Sequence, residues 1–481
     1  MQVLNRLTPI SLAVKIGAGL LAGSPAAPLL AEGLVLEEVT VTARQRSESL
    51  QDVPVSVTAF TESQIDDAGI TRAADFLQLT SNVTFASSES AGVNFMTIRG
   101  ISQVRNGESP VAVVIDGVLM TDPGQFDQEL FDIQQIEVLK GPQGALYGRN
   151  AIGGAINIMT KRPSDEVEGK VVVGAGNGDL RRIQGAVSGP LAENLFFRLA
   201  GSYVDHEGYI ENEYLGEEAD PYEDQSFKAR LEWQPSEQLS LDFRAGYSET
   251  EGGALNFVLL DNCGESNGCF AADRVYDSGA ADNTRTPIRA SRLGTNEREL
   301  SNVSLKIDYD FDFGTLTSIT AWNDQSEFYA ADAYPYDCGP ACSSGELRVF
   351  DTSFGPMVLE NEQLVKVFTD VETISQEFRI TSSDDQTLRW IAGAYYLATD
   401  RERGLPTEMD MGQPYSSSVF NENTLFGFAD DNDNTAYALF GQINYDVTDT
   451  IEASLAVRYD RDEREQTDIA PPEFSATSGL T

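Results

Sequence analysis

Histidine is almost missing from this chain: His206 is the only one in 481 residues. That scarcity removes most zinc chemistry and leaves a Ser-His-Asp triad a single residue on which to converge. Basic residues are also sparse, 33 Lys and Arg against 76 Asp and Glu, for a formal charge of −43 at pH 7. A balance that acidic lacks the basic stripe that nucleic acid demands. No stretch approaches the roughly 18 consecutive apolar residues of a spanning helix. Phosphate loops are absent too, because no Gly-Lys-Ser/Thr follows the glycines at 148–154. Asp430-Asp-Asn-Asp-Asn434 starts like a calcium loop, but Thr435 stands where Gly is required and Gly441 where the bidentate Glu belongs. That segment reads as a solvated polar loop, and no catalytic cluster, metal site or cofactor is expected.

What is present suits strands. Hydrophobic residues make up 41% and aromatics 9%, enough to exclude wholesale disorder, and 41 Gly, 24 Phe and 17 Tyr fit strands and turns better than helices. The first 31 residues read as an export signal: Arg6 and Lys15 precede the apolar run Ile16–Ala22, and small residues lead to Ala31. Export fits the cysteines, which form two local pairs, Cys263 with Cys269 and Cys338 with Cys342, in loop-like segments. Their spacing does not match the CxxC knuckles of metal sites, so two small disulfide loops are expected, with a four-Cys metal site as the alternative.

Beyond residue 165 the apolar residues alternate with polar ones. Phe227–Trp233, Leu239–Tyr247, Val303–Phe311, Tyr437–Val447 and Ile451–Tyr459 each present one apolar and one charged face. Strands of about ten residues ending in aromatics carry the pattern of a transmembrane barrel, with lipid outside and water inside. Eleven strands are expected, near 168–177, 181–189, 194–204, 225–234, 239–250, 299–311, 315–328, 372–382, 388–401, 435–446 and 450–463. Short turns alternate with long polar segments at 205–224, 252–298, 329–371 and 404–434, as in an up-and-down barrel with long outer loops. The first of these holds nine acidic residues and no Lys or Arg, and reads as a solvated loop.

Residues 37–163 follow another pattern. Val53–Phe60 reads as a strand and Ile65–Leu79 as one short helix. Then come Met96-Thr-Ile-Arg-Gly-Ile101, Val111–Val118 and the glycine-punctuated run from Ile136 to Ile158, which contains Leu-Lys-Gly-Pro-Gln-Gly-Ala-Leu-Tyr-Gly. This succession resembles the plug domain of TonB-dependent outer-membrane receptors, and Leu36-Glu-Glu-Val-Thr-Val-Thr-Ala43 resembles the family's TonB box. The resemblance implies an α+β plug inside a 22-stranded transmembrane antiparallel barrel, of which this chain holds about eleven strands. It divides the chain into a signal peptide (1–31), TonB box and linker (32–46), plug (47–163) and partial barrel (164–481). The implied activity is TonB-dependent uptake of a scarce external ligand, first of all a ferric siderophore. A saccharide, haem or cofactor is the alternative cargo, and a non-functional fragment the alternative state.

Site residues follow from the same resemblance. Glu37, Glu38, Val39, Thr40, Val41 and Thr42 would pair with the TonB energy-coupling protein by strand addition, at a terminus expected to be free. Arg99 and Lys140 would lock the plug to the barrel wall, with Glu377 as a barrel partner. Lys140 keeps the charge of the more usual arginine but not its fork. Gly100, Gly141, Gly144, Gly148, Gly153 and Gly154 would form tight turns and close contacts. The remaining partners implied are outer-membrane lipid and an external small-molecule ligand, iron-bearing in the siderophore case. Eleven strands would end the chain on the outer side with two open sheet edges, so a truncated or split reading frame is expected.

Overall fold

The computed structural model describes residues 39–474 except 43, 47, 88–93, 105–106, 214, 255–289, 291, 333–347, 353–354, 360–362, 411, 413, 416–417, 419 and 449. The proposed export signal and both cysteine pairs lie outside the described residues.

An α+β domain comes first. A two-residue ladder, β1 (Thr40–Val41) with β2 (Glu48–Ser49), leads into β3 (Ser56–Thr61) and helices α1 (Glu62–Ala68) and α2 (Ala73–Gln78). Then follow β4 (Val83–Ser87), β5 (Asn94–Ile98), β6 (Ile101–Ser102), β7 (Val111–Ile115), β8 (Val118–Met120) and β9 (Ile133–Lys140). Helix α3 (Gly144–Tyr147) and β10 (Gly154–Thr160) close the domain. The main sheet runs β3-β9-β10-β7-β8, with β10 antiparallel to β9 and parallel to β7. Central strands buried on both faces read as apolar runs, as in Val111-Ala-Val-Val-Ile115. Phe60, Phe76 and Phe126 meet edge to face at 6.1 and 6.3 Å beneath α2.

The single helix expected over 65–79 is two helices. Gly69 takes φ +66° and the Ile70 amide donates back to the Ile65 carbonyl, so the chain turns out of α1 before α2 begins. Nothing would touch a Cβ at Gly69, so its backbone angle and not its space demands glycine there.

The rest is one antiparallel sheet of eleven strands wrapped around that domain. In chain order its strands are β11 (Glu168–Ala175), β12 (Arg181–Ala192), β13 (Leu195–His206), β16 (Tyr222–Trp233), β17 (Leu239–Gly252), β18 (Thr295–Phe311) and β19 (Gly314–Asp332). They continue as β22 (Gln363–Ser382), β23 (Leu388–Met409), β24 (Thr424–Thr448) and β25 (Ile451–Asp468). Two small hairpins, β14 (Glu211–Asn212) with β15 (Glu217–Glu218) and β20 (Arg348–Thr352) with β21 (Gly355–Leu359), sit in the long connections. Every neighbour in the large sheet is also the next of its strands in sequence, and β11 and β25 form its two edges. Phe227, Phe243, Leu439 and Ile443 face outward and exposed, while Ser226, Asp242, Phe440 and Gln442 between them are buried inward.

All eleven expected strands are present, but several run further outward. β22 starts at Gln363 rather than 372, and β24 starts at Thr424 rather than 435. Asp430–Asn434, expected as a loop, is strand throughout, paired to β23 on one side and β25 on the other. Within 430–434 both strand faces are polar, so the alternation fades while the backbone ladder continues. The 205–224 segment is likewise only partly loop, since β13 reaches His206 and β16 begins at Tyr222.

Candidate functional site

The segment expected to be free is docked. Val41 is 1% exposed and belongs to the apolar cluster of Leu139 and Ala155. The Thr42 amide donates to Glu137 Oε1 at 2.7 Å. Asn157 Nδ2 donates to Thr42 Oγ1 at 2.9 Å and to Glu137 Oε2 at 3.3 Å, and Gln135 Nε2 donates to the Thr40 carbonyl at 2.8 Å. Glu137 is wholly buried on β9, and that burial pushes its carboxyl above the ordinary range against the lowering effect of its Thr42 and Asn157 donors. Its oxygens accept hydrogen bonds from backbone and amide groups that would otherwise be orphaned. Glu37 and Glu38 lie outside the described residues.

The next turn grips the barrel. Arg44 forks onto Glu48 at 2.8 and 2.6 Å and reaches Glu452 of β25 at 3.1 Å. Arg46, nearly fully buried, donates to the Ser382 carbonyl at 2.9 Å and the Trp390 carbonyl at 2.7 Å, and pairs with Asp384. Arg46 thus ties this segment to the turn between β22 and β23, and Arg44 ties it to the start of β25. Sequence reasoning did not single them out, although two arginines just after a β-prone run were a readable signal.

The expected lock residues are not joined. Lys140 Nζ donates to Thr58 Oγ1 at 3.2 Å and Ser81 Oγ at 3.1 Å, both in its own domain. Glu377 pairs with Arg379, its neighbour along the inward face of β22, at 2.6 Å. Arg99 is exposed and its guanidinium lies against Gly141, 2.8 Å from where a Cβ would stand. Gly100, Gly141 and Gly148 adopt positive φ, and a Cβ at Gly154 would fall 2.3 Å from the Leu139 carbonyl oxygen. Gly144 and Gly153 meet neither condition.

The grip runs in both directions: Arg162 of the inner domain forks onto Glu232 of the wall at 2.9 and 3.0 Å, and basic side chains of the wall reach acceptors of the inner domain. Arg198 of β13 forks onto Asp132 at 2.7 and 2.5 Å, with both side chains under a tenth exposed. Lys228 of β16 donates to the Phe131 carbonyl at 3.1 Å and lies over the Phe131 ring. Arg230 donates to the Thr160 and Lys161 carbonyls at 3.1 and 3.2 Å, and Arg244 of β17 to the Asp116 carbonyl at 2.7 Å. Arg298 of β18, 2% exposed, reaches the carbonyls of Gly124 and Asp127. Asp116 sits in a tight turn at φ +52°, where the Arg244 guanidinium donates to its carbonyl, whereas at Asp132, φ +58°, the carbonyl takes the Lys161 amide and Arg198 meets the carboxylate. The readable signal was a basic residue at inward positions of alternating strands.

A membrane-type sheet wrapped around an inner domain by inward-pointing arginines defines a plugged outer-membrane barrel. Residues 49–155 match the TonB-dependent receptor plug domain and residues 260–479 the TonB dependent receptor-like beta-barrel. The chain belongs to the TonB-dependent receptor family, whose barrel fold indicates the outer membrane. It is 31% identical over 160 residues to the pesticin receptor of Yersinia pestis, covering 33% of this chain and 24% of that protein. It is 28% identical over 244 residues to the ferripyoverdine receptor of Pseudomonas aeruginosa, covering 48% and 28%. The fold matches the crystal structure of the ferric yersiniabactin uptake receptor FyuA from Yersinia pestis with a TM-score of 0.67 at 20% identity, over 86% of this chain and 57% of that one. The chain spans about half the length of the solved receptors it matches, and its alignments reach about a quarter of the curated ones.

Proposed function

We propose that this chain supplies the plug and adjoining barrel strands of a receptor for active, TonB-coupled import of a ferric siderophore. The observation that carries the reading is the docked β-prone segment at 39–42, tied to a buried carboxylate of the plug and continuous with arginines that hold the barrel rim. Such a segment can exchange its short ladder with β2 for the edge of a partner's sheet, since both use the same backbone donors. Glu37, Glu38, Val39, Thr40, Val41 and Thr42 are the proposed partner-binding residues. The siderophore assignment draws on relatives named for such cargo, including the ferric enterobactin receptor PirA of Pseudomonas aeruginosa, 31% identical over 167 residues. A cofactor cargo is the second reading, favoured by 28% identity over 218 residues to the vitamin B12 transporter BtuB of Vibrio vulnificus.

The test is Val41→Pro in the receptor in its own outer membrane. Proline removes the strand's donor and fixes its φ, so uptake of labelled ferric siderophore should fail while binding at the surface persists. Normal uptake by that variant would move the coupling segment elsewhere. Induction under iron starvation supports the iron reading, and induction by cobalamin shortage the second.

A further inference from the structure

A cavity of about 320 Å³ lies between the plug and the wall, beside the docked segment. Its plug side is formed by β7, β10 and the turn at Asp116, and the segment contributes Thr42, Gln45 and Arg46. Five neighbouring wall strands, β16, β17, β18, β19 and β22, close it with one inward residue each. Four of those five are cations, Arg230, Arg244, Lys306 and Arg379, and the fifth is Ile319. With Arg46 and Arg162 the lining carries six basic side chains, and among the described residues Asp116 is its one carboxylate. In a chain with 76 acidic and 33 basic residues, that lining runs against the composition.

The wall cations are oriented from behind. Asp242 accepts from both Arg230 and Arg244, Asp308 pairs with Lys306 at 2.9 Å, and Glu377 pairs with Arg379 at 2.6 Å. None of these three carboxylates lines the cavity. The donors are not exhausted by them. The Nε–H groups of Arg46, Arg244 and Arg379 are buried and find no acceptor among the described residues. Arg46 is the most enclosed of the three, its side chain 3% exposed. A buried charged donor without an acceptor is costly, and the planar fork of arginine matches carboxylate and phosphate oxygens. The lining and the spare donors point to the same kind of occupant, an oxyanion.

The space continues past Lys306 and Arg379 to the short β18–β19 and β22–β23 turns, at Gly314 and Ser383. The docked segment is itself part of the enclosure. Gln45 Oε1 accepts from Arg379 at 2.8 Å, and Arg46 is anchored on the Ser382 and Trp390 carbonyls. Departure of the segment would open the cavity and take Arg46 away from it.

We propose that this cavity binds a small free oxyanion, a phosphate or polycarboxylate, which bridges Arg46 to the wall cations and holds the segment in its docked state. Binding and docking are then linked reciprocally: the anion favours the docked segment, and release of the segment releases the anion. The site needs only the cavity and the docked segment, so it stands apart from the import reading. Normal uptake by Val41→Pro would overturn that reading and leave this one intact.

The test follows hydrogen exchange at Thr42 in the receptor purified from its outer membrane. Exchange is compared in sodium phosphate and in sodium chloride of equal ionic strength and pH, with no other ligand added. Phosphate should slow exchange several-fold and saturably, and propane-1,2,3-tricarboxylate should do the same. Lys306 pairs with Asp308 on its own strand, so Lys306→Glu changes the lining and leaves the hydrogen bonds of the segment in place. That variant should lose the phosphate effect, and Lys306→Gln should need more phosphate for half-saturation. The effect is read as the phosphate-to-chloride ratio within each protein, so a change in docking itself cancels. Equal exchange in the two salts would overturn the proposal. So would a phosphate effect that Lys306→Glu leaves unchanged, which would put the anion elsewhere. Protease resistance of the barrel checks that each variant is folded.

Discussion

At the scale of single residues, burial decides which charges matter. Glu137 is enclosed between Thr42 and Asn157, so Glu137→Ala should free residues 39–49 by leaving their donors unpaired, a loss of about 1–3 kcal/mol of docking energy. Hydrogen exchange at Thr42 should rise accordingly, while Glu137→Gln keeps an acceptor and should stay near wild type. The same carboxyl titrates above its ordinary value, so the folded protein binds a proton that the unfolded chain has already released. Its contribution to stability therefore rises as pH falls through the raised value and declines again as pH climbs back through it. In Glu137→Gln that part of the pH dependence of unfolding should vanish. Arg198 and Asp132 form an enclosed forked pair between wall and plug. Arg198→Ala strands a buried carboxylate and should cost about 3–5 kcal/mol, read as easier proteolysis of the plug. Lys140→Ala, by contrast, should loosen the plug internally without weakening its attachment to the wall, because its partners are plug hydroxyls.

At the scale of elements, each barrel strand carries two chemistries on one backbone. Leu439 of β24 is 64% exposed on the outward face, whereas Gln442 is buried toward the lumen side. Leu439→Arg should cost about 2–4 kcal/mol of folding into bilayers, the depth-dependent penalty for a cation in lipid. Gln442→Arg, on the wet face, should cost less, and equal penalties would contradict the assignment of faces. The strand ends differ from one another. From 430 to 434 the ladder persists through polar residues alone, whereas from 363 to 371 Leu364, Val367, Phe368 and Val371 are buried as well as paired.

At the scale of the molecule, the plug is held by many modest contacts spread over β12 to β25 in place of one dominant lock. On the import proposed above, such a distribution would let the plug stay seated yet be displaced piecewise, because each fork can break separately. Fractionation should place the protein in the outer membrane. Recovery as a stable soluble periplasmic monomer would contradict the apolar belt that Phe227, Phe243, Phe378 and Leu439 present.

The sequence by itself determined the strands, their faces and the family, because period-two alternation and glycine-bearing turns are local properties of the chain. The alternation begins beyond residue 165, where β11 starts at Glu168. Only the tertiary structure decided the partners. Lys140 and Arg99 looked like the lock because they are charged within a recognisable motif, but folding turned Lys140 toward Thr58 and Ser81 and gave the lock to Arg198, Arg230, Arg244 and Arg298. In the same way the β-prone segment at 39–42 read as a free end, and packing against Glu137 and Leu139 made it an interior one. Local pattern sets which way a side chain points from its strand, whereas the group it meets there is brought from 59 to 174 residues away by tertiary packing.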